Sequence, residues 1–219
     1  SSRGSGGTGT TGGAGSATLS GDAGGDTLAG GGGAESLMGG AGSDVLSSGG
    51  GADTLSGGAD GDSLSGGAGA SSLAGDDGAD TVVGGAGAET LNGGAGQDRL
   101  TGGGGADVFA FGNAASTATA RDVITDFAGG TDKISFGLGA TNSGTGPAGF
   151  SAGADAASYA AAQAAAAAVI SAGTDDVVAI KDTGATLTYV FADTDSDNAI
   201  DTVIEISGLV TLAQTDFVG

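Results

Sequence analysis

The chain of 219 residues has no cysteine, no histidine and no tryptophan, and it contains only one proline and five basic residues. Without cysteine or histidine, disulfides, zinc centres and most transition-metal sites are excluded. The formal net charge of −21 repels nucleic acid and anionic lipid. The sequence therefore predicts neither a nucleic-acid partner nor insertion into a membrane.

A leader, a membrane span and a catalytic motif are also missing from the sequence. The most apolar long stretch, 160–170, is mostly alanine and too short to cross a bilayer. Residues 1–20 lack the basic start and apolar run of a Sec-type signal, and we expect residues 1–11 to be a flexible linker or a cut end. No H-E-x-x-H motif or similar constellation is present, so we predict no catalytic residues and no enzyme activity.

Glycine and acidic residues dominate the composition, with 51 glycines and a total of 26 aspartates and glutamates. So much negative charge opposes compaction unless cations neutralise it. A chain without disulfides needs another means of stabilisation, and excess carboxylates indicate a hard, oxygen-seeking cation such as Ca²⁺.

A nine-residue unit, G-G-x-G-x-D-x-L-x, repeats without insertion over ten copies from Gly12 to Thr101. An eleventh copy, Gly102–Ala110, has phenylalanine in place of leucine. The glycines permit a tight turn, and the three residues after the aspartate alternate as a short strand with the middle one inward. The predicted buried column is Leu19, Leu28, Leu37, Leu46, Leu55, Leu64, Leu73, Val82, Leu91, Leu100 and Phe109. A disordered linker, the alternative, has no reason to keep this register.

This repeat resembles that of the RTX family, bacterial proteins exported by type I secretion. The resemblance implies an all-β fold with a right-handed parallel β-roll over residues 12–111, in which two units form one coil. It also implies several Ca²⁺ ions between turns of successive coils. The ligands implied on one side are Asp26, Asp44, Asp62, Asp80 and Asp98, and those on the other side are Glu35, Asp53, Glu89 and Asp107. The implied backbone carbonyls belong to Gly21, Ala23, Gly39, Ala41, Gly57, Ala59, Gly75, Asp77, Gly93 and Ala95.

The two sides of the roll differ at the sixth position of the unit. The first row consists of aspartate throughout: Asp26, Asp44, Asp62, Asp80 and Asp98. The second row is Ala17, Glu35, Asp53, Ser71, Glu89 and Asp107. We predict four ions along the first row and a weaker or partly empty second row. We also predict that folding needs calcium, because one buried leucine per unit does not repay the ordering of nine residues.

Residues 112–219 are predicted to form a β-rich capping and secretion domain that extends the roll as a sandwich. The segment 121–138 indicates two strands and is similar to the segment after the roll in serralysin-type proteases. A loop is expected at 140–149, and the alanine-rich stretch 155–171 predicts a helix. Strands at 185–191 and 201–206 flank an acidic turn, where Asp193, Asp195, Asp197 and Asp201 have the spacing of a calcium loop. A solvated acidic turn is the alternative.

The ending TLAQTDFVG resembles the secretion signals of type I substrates, although a last strand ending in Phe-Val is the alternative. We expect a protein of the cell surface or exterior of a Gram-negative bacterium, with the type I secretion machinery as a partner. One hypothesis is a non-catalytic S-layer or adhesin-like protein that folds on calcium and then self-assembles or binds surface polysaccharide. Another is the C-terminal module of an extracellular hydrolase, such as a serralysin-like protease or lipase, with its catalytic domain upstream. An ice binder is disfavoured because the turns lack regular Thr or Asn ladders.

Overall fold

The computed structural model describes residues 2–3, 9–112, 120–136, 150–152, 155–170, 177–193 and 200–218. The chain divides into two compact units, Ser1–Phe109 and Ala110–Gly219. The predicted domain limits, 1–11, 12–111 and 112–219, stay predictions. No helix among the described residues combines the length and apolarity needed to cross a membrane.

The first unit consists of short strands that alternate between two parallel sheets. One sheet contains, in chain order, β1 (Ser2–Arg3), β3 (Thr18–Ala23), β5 (Ser36–Ala41), β7 (Thr54–Ala59), β9 (Ser72–Asp77), β11 (Thr90–Ala95) and β13 (Val108–Ala110). The other contains β2 (Gly9–Thr11), β4 (Thr27–Ala29), β6 (Val45–Ser47), β8 (Ser63–Gly67), β10 (Thr81–Gly85) and β12 (Arg99–Gly103). These two sheets form about six coils, which confirms the predicted β-roll.

The register of both sheets is 18 residues, or two units per coil. Leu55 pairs with Leu37 on one side and with Leu73 on the other, and Leu64 pairs with Val82. Because side chains alternate across a strand, this register stacks every eighth-position residue in the interior. All eleven members of the predicted column are at most 1% exposed. The column of apolar side chains is therefore the core of the roll.

The second unit contains a mixed sheet covered by one helix. Its elements are β14 (Asp122–Ile124), β15 (Lys133–Ser135), β16 (Phe150–Ala152), α1 (Tyr159–Ile170), β17 (Val177–Asp182), β18 (Leu187–Ala192), β19 (Thr202–Ser207), a 3₁₀ turn (Gln214–Asp216) and β20 (Phe217–Val218). Strand β17 pairs in parallel with β16 and antiparallel with β18, which continues antiparallel to β19 and then in parallel to β14. Strands β15 and β20 form a separate parallel pair within this unit.

The predicted helix is present but begins four residues later than expected. Alanine has the highest helix propensity, and the helix buries Ala162 and Ala166 in a cluster with Val178 and Phe191. Residues 155–158 stay outside the helix because Ala156 forms a bridge to Asp182 beside β17. The amide of Ala156 donates to the carbonyl of Lys181, and this hydrogen bond holds Ala156 in an extended conformation.

The other predicted elements of this unit have a mixed outcome. The two strands expected within 121–138 are β14 and β15, and those expected at 185–191 and 201–206 are β18 and β19, displaced by one or two residues. The later start of β18 follows from a turn in which Oδ1 of Asp182 accepts hydrogen bonds from the amides of Gly184 and Ala185. The loop expected at 140–149 lies outside the described residues.

Replacing a leucine of the core column tests whether the column stabilises the roll. We expect Leu64→Ala to lower the free energy of unfolding in saturating calcium by about 2–5 kcal/mol, because it leaves a cavity between stacked leucines. Val45→Ala is the matched control, since Val45 is 49% exposed and its loss should cost about 0.5 kcal/mol or less. Equal effects of the two substitutions in urea denaturation would contradict the buried column.

Candidate metal centre

The first row of aspartates forms a continuous buried ladder inside the turns. Each member is at most 4% exposed. The backbone amide of one aspartate donates to Oδ1 of the aspartate one coil further along. These distances are 2.6 Å from Asp26 to Asp44, 2.7 Å from Asp44 to Asp62, 2.7 Å from Asp62 to Asp80 and 2.8 Å from Asp80 to Asp98. The parallel register therefore fixes one oxygen of each carboxylate from Asp44 onward.

The second oxygen of these carboxylates is available to a ligand. Oδ2 of Asp44, Asp62 and Asp80 is buried and accepts no hydrogen bond from the described residues. A buried carboxylate oxygen without a partner is costly, since it has lost its water and gained nothing in return. Such an oxygen is the type of ligand that Ca²⁺ prefers.

The first glycine of each unit lets this oxygen approach a carbonyl of the next coil. A Cβ added to Gly39 would collide with Oδ2 of Asp44 and with the carbonyl oxygen of Gly57. The same two kinds of atom meet at Gly57, where Oδ2 of Asp62 and the carbonyl of Gly75 would be struck. Carboxylate and carbonyl oxygens thus converge between successive turns, and this donor set fits calcium. The structure brings the predicted carbonyls of Gly39, Gly57, Gly75 and Gly93 beside the first row, and the role of the Gly21 carbonyl stays a prediction.

The predicted third-position carbonyls lie in a different setting. The carbonyls of Ala41, Ala59 and Ala95 each accept a backbone amide of the preceding coil, at 2.7, 3.0 and 2.8 Å. A carbonyl oxygen has two lone pairs, so each keeps one for another contact. Their role as calcium ligands, with that of Ala23 and Asp77, stays a prediction.

Electrostatics make the ionised first row unfavourable in the folded chain. Burial raises the pKa of Asp62 to about 6 against the opposing hydrogen bond from the Asp44 amide, and the charges of Asp44, Asp60 and Asp76 raise it further. Burial likewise raises the pKa of Asp80 to about 6, and the pKa of Asp44 in the same direction. At neutral pH Asp62 and Asp80 are still mostly ionised, so their charges oppose folding until a cation neutralises them.

The second row is buried from Glu35 onward, but its hydrogen-bond ladder is uneven. The amide of Glu35 donates to Oδ1 of Asp53 at 2.7 Å, and that of Glu89 donates to Oδ1 of Asp107 at 2.9 Å. At Ser71 the ladder continues only through the hydroxyl, which accepts from the Asp53 amide at 3.3 Å. The predicted weakness of this row stays a prediction.

The two glutamates of the second row fold back onto their own turns. Oε1 of Glu35 accepts the amide of Gly33 at 3.2 Å. A Cβ on Gly87 would collide with Oε1 of Glu89, so glycine at that position makes room for the longer side chain. Burial, with the charge of Asp107 second, raises the pKa of Glu89 to about 7. The turns thus accommodate the extra methylene without expelling the carboxylate.

The acidic turn of the second unit is only partly described. Asp193 is buried and the amide of Asp201 donates to the carbonyl of Ala192, while Asp195 and Asp197 lie outside the described residues. Within the described part of the chain, no three acidic side chains gather closely enough to hold a metal by themselves. The roll instead offers carboxylates in pairs, with carbonyls beside them. The predicted calcium loop at 193–201 stays a prediction.

Sequence reasoning missed several residues close to the rows. Asp60 and Asp76 are exposed. Their negative charges, in addition to burial, raise the pKa of first-row aspartates. Asp22, Asp60 and Asp76 have φ of 72°, 75° and 74°, in the left-handed region that aspartate tolerates better than most residues. Ser48 also occupies a position that is glycine in the other ten units. Each departs from the consensus, and that departure was the available signal.

Comparisons with known proteins agree with this geometry. The family model described as "RTX calcium-binding nonapeptide repeat" matches four times, at residues 11–46, 29–64, 56–88 and 83–117. No curated protein sequence matches the chain.

Two similar solved structures are subunits of the mannuronan C5-epimerase of Azotobacter vinelandii. The AlgE6R3 subunit is 26% identical over 73% of this chain and 78% of its own, with a TM-score of 0.49. The AlgE6R2 subunit is 25% identical over 75% of this chain and 90% of its own, with a TM-score of 0.47. The similarity to serralysin-type C-terminal regions is not among these findings and stays a prediction. The absence of enzyme activity also stays a prediction.

A single methyl group tests the convergence of oxygens at the first-position glycine. We call the space between two successive members of a row an interval. We expect Gly57→Ala to weaken calcium binding at the Asp62–Asp80 interval about tenfold, the equivalent of about 1.4 kcal/mol. The reason is that the added Cβ occupies the space between Oδ2 of Asp62 and the carbonyl oxygen of Gly75. Gly104→Ala is the control, since a Cβ there meets nothing within 4 Å. Calorimetric titrations that do not distinguish the two variants would rule out this interval as a binding site.

Proposed function

We propose that the RTX calcium-binding nonapeptide repeats formed by residues 11–117 act as a calcium-triggered folding module. The observation that carries this proposal is the set of buried Oδ2 atoms of Asp44, Asp62 and Asp80, which accept no hydrogen bond from the described residues. Such repeats are typical of extracellular bacterial proteins. The module is unfolded where calcium is scarce and folds where calcium is abundant.

The trigger follows from linkage between ion binding and folding. An ion that binds only the folded chain stabilises it in proportion to the logarithm of its concentration relative to Kd. Extracellular calcium modules have Kd of about 10⁻⁴–10⁻³ M, so a low-calcium cytoplasm leaves them empty. The first row, with the carbonyls of Gly39, Gly57, Gly75 and Gly93, would hold the ions, and the calcium charge would offset the repulsion between carboxylates.

Export before folding is supported by the position of the predicted secretion signal. Asp216 is 2% exposed, and its carboxylate accepts the amides of Gly130 and Ala213 at 2.8 and 2.9 Å. Its Oδ1 also lies 3.7 Å from Nζ of Lys133. Phe217 stacks against Phe136 with ring centroids 6.1 Å apart. The type I machinery would read this segment in the unfolded chain, and folding outside the cell would then bury it.

Surface assembly is supported by a row of exposed hydroxyl groups on one sheet. The seventh residues of successive units in the sheet of β3 to β11 are Thr18, Ser36, Thr54, Ser72 and Thr90, which pair in register and are all exposed. Val45 and Arg99 interrupt the equivalent row of the other sheet. The uninterrupted row suits close packing against a second copy of the chain, and we propose this face for S-layer or adhesin-like assembly.

Removing the first-row charges tests the folding trigger. We expect a coil-to-β transition of the unaltered chain near millimolar calcium, and we expect the variant Asp44→Asn/Asp62→Asn/Asp80→Asn to lose it. The amides cannot replace carboxylates as ligands for a hard cation. Far-UV circular dichroism during calcium titration of chelator-treated protein measures the midpoint.

The matched control changes the same number of charges on the outside of the same side of the roll. In Asp22→Asn/Asp60→Asn/Asp76→Asn every altered residue is exposed, and asparagine tolerates their left-handed backbone. We expect the midpoint to change less than threefold. The trigger is wrong if the unaltered chain is already β-rich in chelator, or if both triple variants behave alike.

The assembly face has a test of its own. We expect sedimentation velocity to show higher-order species in calcium for the unaltered chain, and about tenfold weaker association for Thr54→Lys, because a buried ammonium at a close contact is costly. Ser63→Lys, on the exposed row of the other sheet, should associate like the unaltered chain. A monomer at all concentrations would refute self-assembly while leaving the folding trigger intact.

A further inference from the structure

One interval of the second row contains hydroxyl groups where the first row has a carboxylate and an unobstructed carbonyl. Ser48 occupies the first position of its unit, and the other ten units have glycine there. Ser71 occupies the sixth position of a unit one coil further along. Both side chains face the turn that begins at Gly66, so two departures from the consensus meet at one place.

The contacts of Ser48 are those of a fixed, buried group. Its side chain is 0% exposed, and its Oγ donates to the carbonyl oxygen of Gly66 at 2.7 Å. Its backbone amide donates to the carbonyl of Ser65 at 3.0 Å, which holds the residue against that strand. In the first row, the equivalent carbonyls of Gly57 and Gly75 lie beside an aspartate Oδ2 and no side chain intervenes. The Gly66 carbonyl has a hydrogen-bond donor instead.

Ser71 contacts the same carbonyl, that of Gly66, from within its own turn. It is 4% exposed, and its Oγ lies 3.5 Å from the carbonyl oxygen of Gly66 and 3.4 Å from that of Gly69. The same hydroxyl accepts the amide of Asp53 at 3.3 Å, the place taken by a carboxylate oxygen elsewhere in the ladder. These contacts are long, and they give the carbonyls of the turn a neutral partner, whereas Oδ2 of Asp53 stays buried and accepts no hydrogen bond from the described residues.

We propose that Ser48 and Ser71 form a metal-free junction that replaces a calcium ion between the turns of Asp53 and Ser71. This inference rests on the proposed function, because it assumes that the remaining intervals take calcium. The interval lacks one carboxylate, and Ser48 places a Cβ and a hydroxyl at the position where, in the first row, a glycine leaves room for the two oxygens to meet. The junction divides the second row into the Glu35–Asp53 pair and the Glu89–Asp107 pair.

Two restoring substitutions separate the contributions of the two serines. Ser71→Asp supplies a carboxylate next to both Asp53 and Glu89, but Ser48 still occupies the Gly66 carbonyl. Ser48→Gly removes that hydroxyl and leaves the carboxylate missing. We expect Ser48→Gly alone to bind as many ions as the unaltered chain, and Ser48→Gly/Ser71→Asp to bind one more ion than Ser71→Asp. Calorimetry with Ca²⁺ and luminescence titration with Tb³⁺ give the two stoichiometries.

A third variant keeps the junction testable whatever the stoichiometries are. Ser48→Ala removes the hydroxyl and keeps the Cβ, so it breaks the 2.7 Å hydrogen bond and supplies no ligand. We expect it to lower the urea midpoint of the folded chain by the same amount at all calcium concentrations above saturation. The midpoint of Asp62→Asn should instead fall further behind the unaltered chain as calcium rises.

The outcomes distinguish the junction from the folding trigger. The junction is overturned if Ser48→Gly alone gains an ion, if the double variant gains none over Ser71→Asp, or if Ser48→Ala leaves the midpoint unchanged. Loss of calcium binding in Asp44→Asn/Asp62→Asn/Asp80→Asn alongside any of these results leaves the trigger intact. If the unaltered chain binds no calcium, the trigger fails, and the urea midpoint of Ser48→Ala still decides whether the hydroxyl stabilises the turn.

Discussion

The structure depends on a row of carboxylates that is buried with only half of its oxygens satisfied. The 18-residue register places the amide of one aspartate against Oδ1 of the next, as between Asp44 and Asp62. The same register leaves Oδ2 facing a carbonyl of the following coil, across a glycine that has no side chain to intervene. Two acceptors in contact repel each other unless a positive charge lies between them. The fold is therefore arranged around a charge that the polypeptide does not supply.

The rest of the unit accommodates that constraint. Leucine at the eighth position provides the apolar core. Each unit contributes one such side chain to the column between the two sheets, and each is at most 1% exposed. Backbone pairing along both sheets satisfies the strands, but a sheet with one buried side chain per nine residues gains little from the hydrophobic effect. In the proposed function, metal ions perform the stabilising role that disulfides have in many small extracellular domains. The proposal thereby gives the absence of cysteine and the abundance of aspartate a common explanation.

Much of the fold and of the first row could be predicted from the sequence because both follow from a strict period. Leu19 to Phe109 recur every nine residues, and Asp26 to Asp98 every eighteen, so stacking follows directly. What could not be predicted depends on contacts that break the period. The start of α1 at Tyr159 depends on the bridge from Ala156 to Asp182, and the burial of Asp216 depends in part on the amide of Gly130, 86 residues away. Ser48 is visible in the sequence as a departure from the consensus, but its hydrogen bond to the carbonyl of Gly66 is not.

The 18-residue register also makes the roll a nearly one-dimensional system. Among the described residues, the strand containing Leu55 pairs with the strands of Leu37 and Leu73, so the backbone pairing of a coil is with its two neighbouring coils. In such a system folding spreads from one coil to the next through their shared interface. Unfolding therefore stops at an interval where two coils interact weakly. The length over which coils unfold together is then set by the spacing of the weak intervals and not by the length of the chain. A repeat protein of this kind tunes its mechanical extensibility by single residues at coil junctions, without any change to its consensus.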